Sequence, residues 1–393
     1  MAIDPWVVRM DAKDFQTPSA GRVVKMPQGY LAFVPSLLPP ALKYDNDLVL
    51  ALSRADAALS ELSGLGRQLP NPHLLISPYV RREAVLSSRI EGTKASLSDL
   101  LLDELDAGVS RSGDDDVREV RCYVTALEYG LKRLSTLPLS LRLVREIHAR
   151  LMKGVRGERA IPGEFRRSQN WIGPSGSTPA AASYVPPPPE HMDELLADWE
   201  RFLHTRDRFP DLIQCAIMHE QFEAIHPFLD GNGRVGRLLI TLFLVERGRL
   251  SQPLLYLSAY IEAHRQDYYD LLQRVRTHGD WTAWLLFFIT GVLDISTEAA
   301  GQARRLIDLR EQSRGRLRDK AKALVLLDEL FVNPYMTVSK AERVLKVSNP
   351  TARQAVLLLE RKGLLEEVSG RQWGRLYLAK PIMNVLEPPS KKT

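Results

Sequence analysis

The sequence predicts a mainly α-helical protein with a helical core, a short β-hairpin flap in mid-chain and a winged helix-turn-helix unit at the C-terminus. Three observations carry this. Apolar residues recur at three- and four-residue spacings through most of 46–300, the period of an amphipathic helix. The longest interruption, 154–190, is rich in Gly, Pro and Ser and has no helical period. Beyond residue 320, three short helical stretches precede two strand-like runs.

Residues 1–45 contain Pro and Gly throughout and read as a segment wrapping the surface. A helix begins at Asn46, with Leu48, Leu52, Ala55, Leu59 and Leu62 on one face, and the run Gly64–Pro72 should break it. A second helix is expected over Pro78–Arg89, closing near Gly92. Ser96 or Ser98 should cap a short third helix ending near Leu105. Residues 107–116 read as a polar loop. Helices follow on Val120, Val124, Leu127 and Leu131, then on Leu141, Val144, Ile147 and Leu151. Further helices are expected over His191–His204, Leu212–Ala224, Arg234–Arg247, Tyr256–Ile261, Gln266–Arg276 and Trp281–Ala299. Charged residues 301–320 suggest a helical linker. The C-terminal unit should comprise helices Lys322–Phe331, Ser339–Leu345 and Pro350–Lys362, then strands Leu364–Val368 and Arg375–Leu378 around a Ser369-Gly370 turn.

A chain of 393 residues is too long for one ordinary domain. The pattern divides it into an N-terminal helical region (1–115), a core (116–300), the linker (301–320) and the C-terminal unit (321–393). Apolar residues make up 45% and charged residues 26%, which excludes a disordered, collagen-like or polytopic membrane chain. The two cysteines, Cys122 and Cys215, cannot build a disulfide framework and read as thiols in a reducing compartment. The N-terminus shows no secretory signal pattern. The longest apolar runs, Leu238–Val245 and Trp284–Val292, fall short of the roughly 20 residues a membrane helix needs. A cytoplasmic protein without membrane contact is expected.

The chemistry concentrates in His226-Pro-Phe-Leu-Asp-Gly-Asn-Gly-Arg-Val-Gly-Arg237. This is a loop feeding a helix N-terminus, where first-turn N–H groups and the helix dipole favour an anion. Gly231 and Gly233 allow close backbone approach. Arg234 and Arg237, three apart, project near the first turn and complete a polyphosphate cradle. Asp230 can hold Mg²⁺, which takes one or two carboxylates with phosphate oxygens. His226 is a base suited to taking a proton from a hydroxyl.

These twelve residues resemble the Fic family motif HxFx(D/E)GNGRxxR at all eight specified positions, and the resemblance extends over about residues 35–300. SSRIEGT, Ser87–Thr93, resembles the family's inhibitory motif (S/T)xxxE(G/N). Ile161–Gly173 is similar to the stretch leading into the target-binding flap. Tyr268-Tyr269 fall where relatives carry an adenine-contacting pair. One departure is Cys122, beside Tyr123, where Asn is common in the family.

The resemblance implies a Fic-fold core and transfer of AMP from ATP to a Ser, Thr or Tyr hydroxyl of a protein target, itself included. His226 would be the base and Asp230 the Mg²⁺ ligand bridging the α- and β-phosphates. The backbone of Gly231, Asn232 and Gly233 would line the anion hole, continued by Val235 and Gly236. Arg234 would grip the β-phosphate and Arg237 the γ-phosphate, and diphosphate would leave. A related branch that phosphorylates its targets has Lys at the position of Gly233, so glycine favours AMP transfer. Glu91, helped by Ser87, would pair with Arg237 at rest and act as a brake. The flap would hold its target by main-chain pairing. The alternatives are removal of AMP, use of another nucleotide, and a DNA-binding regulator that uses the Fic domain as a nucleotide sensor.

The formal charge of +5 hides an asymmetry. Residues 301–393 hold 19 basic and 10 acidic residues, a net of +9, so 1–300 carry −4. Arg353, Gln354, Arg361, Lys362, Arg371 and Arg375 could meet DNA, whereas winged helices also dock proteins or dimerise. A homodimer is a further expectation.

Overall fold

The computed structural model describes residues 9–15, 17–68, 72–105, 115–155, 161–174 and 176–387. Fifteen helices dominate the described residues, with two small antiparallel sheets. Most of the polar loop expected at 107–116 lies outside them.

The N-terminal segment contains a hairpin that the sequence reading missed. β1 (Gly21–Lys25) pairs antiparallel with β2 (Leu31–Pro35), from Gly21 opposite Pro35 to Lys25 opposite Leu31. Four consecutive β2 residues are buried, so no in–out alternation marks the strand. The hairpin packs on the mid-chain segment. Phe33 N donates to Val185 O at 2.9 Å and Met10 N to Ala182 O at 3.0 Å, and Phe33 and Tyr184 share a small core with Met10 and Val185.

Helix α1 (Asn46–Gln68) runs through Gly64 and Gly66, where a break was expected. Gly66 serves packing: a Cβ there would come within 3.3 Å of Gln252 and Leu254 and closer still to Ser251. α2 (Pro72–Ile90) starts earlier than expected and contains Pro78 in its interior. In α3 (Leu97–Leu105), Ser96 accepts from Asp99 N, and the Asp99 carboxylate accepts from Ser96 N. α4 (Asp115–Arg133) and α5 (Leu141–Leu151), capped by Ser140, pack side by side.

Among the described residues, the expected mid-chain hairpin is reduced to one antiparallel bridge, Ile172 to Tyr184, with a 3₁₀ turn at Pro179–Ala181. Pro174, Pro179 and Pro186–Pro189 have no N–H to extend a ladder. α6 (Pro189–Leu203) then leads to α7 (Asp211–Ile225), in which every residue from Leu212 to Ile225 is buried. α8 (Asn232–Glu246) lies against α7. α9 (Ser258–Ala263) and α10 (Arg265–His278) follow, and Gly279 closes α10 in the left-handed conformation.

Helix α11 (Trp281–Arg316) is continuous over 36 residues. This corrects the boundary at residue 300: the expected linker is the second half of a core helix. Ala299, Ala300, Ala303 and Leu306 are buried while the intervening charges face outward. By length and composition α11 could cross a membrane, although its single apolar runs are short. Half of that stretch is buried inside the protein, with Trp284, Leu285, Phe288 and Val292 in the core.

The C-terminal unit comprises α12 (Ala321–Val332), β3 (Tyr335–Thr337), α13 (Val338–Leu345), α14 (Asn349–Arg361), β4 (Glu366–Glu367), β5 (Leu376–Leu378) and α15 (Lys380–Leu386), with sheet order β3-β5-β4. β3 and α15 were not anticipated. The unit packs on the rest through α12 against α2 and α15 against α11, and Asp328 of α12 pairs with Arg310 of α11 at 2.9 Å. Asn333 Nδ2 donates to Leu101 O at 2.9 Å, Tyr335 Oη meets Ser98 Oγ at 3.2 Å, and Arg343 donates to Leu105 O at 3.3 Å.

Candidate active site

The loop between α7 and α8 is held by its own residues and by two from the 161–173 stretch. His226 caps α7 with φ +51°, a left-handed conformation uncommon outside glycine. Arg166 Nε donates to the His226 carbonyl at 2.9 Å, and Arg166 Nη2 reaches Pro187 O at 2.6 Å. Asn170 Nδ2 donates to Phe228 O at 2.7 Å. Asn232 closes the loop on itself: Oδ1 accepts from Phe228 N and Nδ2 donates to Phe228 O, both at 2.8 Å. Gly231, at φ +79°, precedes α8, and its N–H donates to Asp230 Oδ1 at 2.6 Å.

Beneath this loop lies α5. The His148 ring stacks on Phe228 with centroids 3.7 Å apart and planes 5° from parallel. Its Nδ1 accepts from Gly163 N at 2.8 Å, and its Nε2 lies 3.0 Å from Asp230 O. Burial lowers its pKa to about 4.

The two arginines of α8 sit in different states. Arg237 is buried and bonded through Nε and Nη2: Nε donates to Ser87 Oγ at 2.8 Å, while Nη2 donates to Ser87 O at 2.9 Å and to Glu91 Oε1 at 2.7 Å. Arg234 is equally buried, yet its Nε and Nη1 make no hydrogen bond. The nearest carboxylates, Glu119 and Asp230, stand at 3.6 and 3.7 Å. A buried guanidinium with unmade donors is costly and is satisfied by an arriving anion.

Glu91 stands just past the end of α2, with its carboxylate over the start of α8. A Cβ on Gly233 would collide with Glu91 Oε1. Burial alone would raise the Glu91 pKa, but Arg237's charge and hydrogen bond, with Arg234 and His226, outweigh it and hold the carboxyl below its ordinary value. Burial, with Arg166 and Arg276, lowers His226 to about 3, so the imidazole is neutral at physiological pH, and its Nδ1 has no partner. Glu223, one turn before His226, is pushed up to about 7 by burial. Val235 and Gly236 are buried in the first turns of α8, and a Cβ on Gly236 would collide with Glu223.

The tyrosine pair is split. Neighbours on a helix point about 100° apart. Tyr269 lines a cleft of about 730 Å³ between α10 and the bridge at Ile172 and Tyr184. Tyr268 is 1% exposed and bonds His219 Nε2 through its hydroxyl at 2.9 Å. A base in the cleft can meet Tyr269; Tyr268 belongs to the core.

Asp230 suits a metal only as part of a nucleotide complex. Oδ1 is occupied by Gly231 N–H, and among the described residues no group of three His, Cys, Asp or Glu side chains could hold a cation. A single carboxylate fits Mg²⁺ that brings its own phosphate oxygens and waters.

The structure therefore brings together His226, Asp230, Arg234, Arg237, Ser87 and Glu91 from three helices. Sequence reasoning missed Arg166, Asn170, His148 and Glu223. The first two lie in the quoted 161–173 stretch, but only their contacts reveal that they pin the loop.

Fold and site define a helical protein with a glycine-rich loop at a helix start, two buried arginines beside it and a carboxylate held against one of them. The chain matches the Fic/DOC family's N-terminal region over residues 49–132 and its Fic domain over 138–244, in that order. It is 34% identical over 152 residues to the protein adenylyltransferase Fic of Aedes aegypti, covering 38% of this chain and 27% of that protein. It is 30% identical over 191 residues to a probable protein adenylyltransferase of Aquifex aeolicus, covering 47% of this chain and 54% of that protein. The chain thus spans between about a quarter and about half of these relatives' lengths. A Fic family protein from Desulfovibrio desulfuricans shares the fold, with a TM-score of 0.57 at 21% identity over 87% of this chain and 98% of that one.

Proposed function

We propose that this protein is an adenylyltransferase that moves AMP from ATP to a Ser, Thr or Tyr hydroxyl of a protein, and that Glu91 restrains it. The observation that carries this reading is buried Arg234 with two unmade donors, beside Arg237 and a neutral His226 at one helix start. The adenylyltransferase relatives supply the reaction class.

In this mechanism the triphosphate lies across the first turn of α8. Arg234 takes the β-phosphate, and the backbone of 231–233 faces the developing charge. Asp230 would hold Mg²⁺, which neutralises phosphate charge. His226 accepts the hydroxyl proton as oxygen bonds to the α-phosphorus; the bond to the bridging oxygen breaks and diphosphate leaves. Tyr269 stacks on adenine. At rest Glu91 holds Arg237, so the γ-phosphate lacks its ligand and ATP sits out of line.

The C-terminal unit reads as a winged helix. Arg353, Gln354, Arg361, Lys362, Arg371 and Arg375 are all exposed, which suits a DNA partner. The same reading places the protein in the cytoplasm, where Cys122 and Cys215 remain free thiols.

The test is mass spectrometry for an AMP adduct after incubating Glu91→Gly protein with ATP, Mg²⁺ and lysate. Adducts that vanish in the Glu91→Gly, His226→Ala double variant are expected. No adduct on itself or on lysate proteins overturns the reading.

A further inference from the structure

We infer that His148, on α5 and outside the motif, is the positioning residue that aims the Asp230 carboxylate, through a relay starting at Gly163. This rests on the proposed role of Asp230.

The relay follows from donor and acceptor chemistry. A backbone N–H can only donate, so Nδ1 of His148, 2.8 Å from Gly163 N, is the acceptor. The proton of the neutral ring is then on Nε2, which donates to the Asp230 carbonyl at 3.0 Å. That carbonyl shares a rigid peptide plane with Gly231 N–H, and in a trans peptide the two point in opposite directions. Fixing the carbonyl toward α5 turns the N–H away from α5. The N–H donates to Asp230 Oδ1 at 2.6 Å, so one carboxylate oxygen is held and Oδ2 is left for a cation.

The surroundings leave the relay little freedom. Gly163 has φ +85° and packs directly on α5; a Cβ there would lie 3.0 Å from Ala149. Arg145 Nε clamps the Gly163 carbonyl at 2.8 Å. The parallel stack on Phe228 fixes the imidazole plane. One turn on, Met152 Sδ would lie 2.9 Å from a Cβ on Gly231 and sits 3.8 Å from Arg234 Nη2. α5 is thus the floor of this loop, and His148 is its polar contact with the Asp230 backbone carbonyl.

Two substitutions separate this role from packing. His148→Gln can place its amide N–H where Nε2 stands, preserving the bond to Asp230. His148→Asn can present an acceptor to Gly163 but falls short of Asp230. Both lose the ring stack. The full-length protein in a Glu91→Gly background is used, with three readouts: melting temperature, binding of Mn²⁺ in the presence of ATP followed by electron paramagnetic resonance, and the Mg²⁺ dependence of AMP transfer. The expected result is equal melting temperatures for the two variants, with a metal half-saturation about tenfold higher for Asn and within about threefold of the parent for Gln. ATP affinity in EDTA should be the same in both. Equal metal affinity in the two variants overturns the relay, whether both match the parent or both weaken together. Failure of AMP transfer in the parent would sink the adenylyltransferase reading alone, because Mn²⁺ binding still reports the carboxylate.

Discussion

Replacing Glu91 tests the brake most directly. In the resting structure Arg237 has three bonds, two to Ser87 and one to Glu91. Glu91→Gly removes the carboxylate that pairs with Arg237 and keeps the Ser87 bonds, so the guanidinium stays in place. A charge-assisted hydrogen bond contributes about 1.5–3 kcal/mol. The Glu91 side chain is 37% exposed, so solvent screening reduces this to about 1–2 kcal/mol. If breaking the pair is the cost of seating the γ-phosphate, its removal raises the initial rate about 5- to 30-fold at subsaturating ATP, at 1.4 kcal/mol per factor of ten. The assay is incorporation of ³²P from α-labelled ATP, with a His226→Ala control. Glu91→Gln keeps the shape and loses the charge, so it should fall between wild type and glycine. Equal rates for wild type and Glu91→Gly, with the control inactive, would refute the reasoning. Full inhibition retained by glutamine would assign the brake to bulk rather than charge. Because the Glu91 pKa is lowered, the carboxylate stays charged from pH 7.5 to 5.5, and mild acid should leave the brake on.

Three further outcomes follow from the geometry. Glu83 is buried, accepts from Tyr123 Oη and Ser258 Oγ, and is pushed up to about 7 by burial. Its ionisation costs native stability that is absent below pH 4.5, grows as pH rises, and levels off above 7 at about 3 kcal/mol. Glu83→Gln should therefore raise the melting temperature at pH 8 and change it little at pH 5; the same shift at both would contradict the burial argument. Asn232→Ala leaves the buried Phe228 N–H unpaired and its carbonyl held by Asn170 alone, so calorimetry should show a loss of about 1–3 kcal/mol and titration a weaker affinity for ATP. Tyr269→Ala should raise the KM for ATP by roughly tenfold, the value of one base stack, while Tyr268→Phe lowers stability and leaves KM alone; the reverse pattern would reassign the adenine contact.

Helices with one clean apolar face were legible because burial on one side writes a 3.6-residue period into the sequence. Errors fell where another constraint shared the position. Gly66 looked like a stop and is a contact with the 251–254 turn. The second half of α11 looked like a linker because its buried residues are mostly small or polar, as Ala303, Gln302 and Ser313 are, and arginines crowd the positions beside them. β2 is covered on both faces and shows no alternation. In the site, His226 and Arg237 were readable because fixed spacing around a helix start carries their placement, whereas Glu91 was readable only through the resemblance of Ser87–Thr93 to the family's inhibitory motif. Arg166, Asn170 and His148 act through backbone carbonyls far away in sequence, and such contacts demand no local pattern.

Gly233 is one missing side chain serving two occupants. The space above it now holds Glu91, and in the proposed reaction the same space admits phosphate. The carboxylate is thus a tethered competitor, whose strength is set by an effective concentration that dilution of the protein does not change. A nucleotide without a γ-phosphate does not contest that space. On the proposed reading, Glu91 would bias the protein at rest toward diphosphate nucleotides and make the balance between the two nucleotide forms an input to its activity.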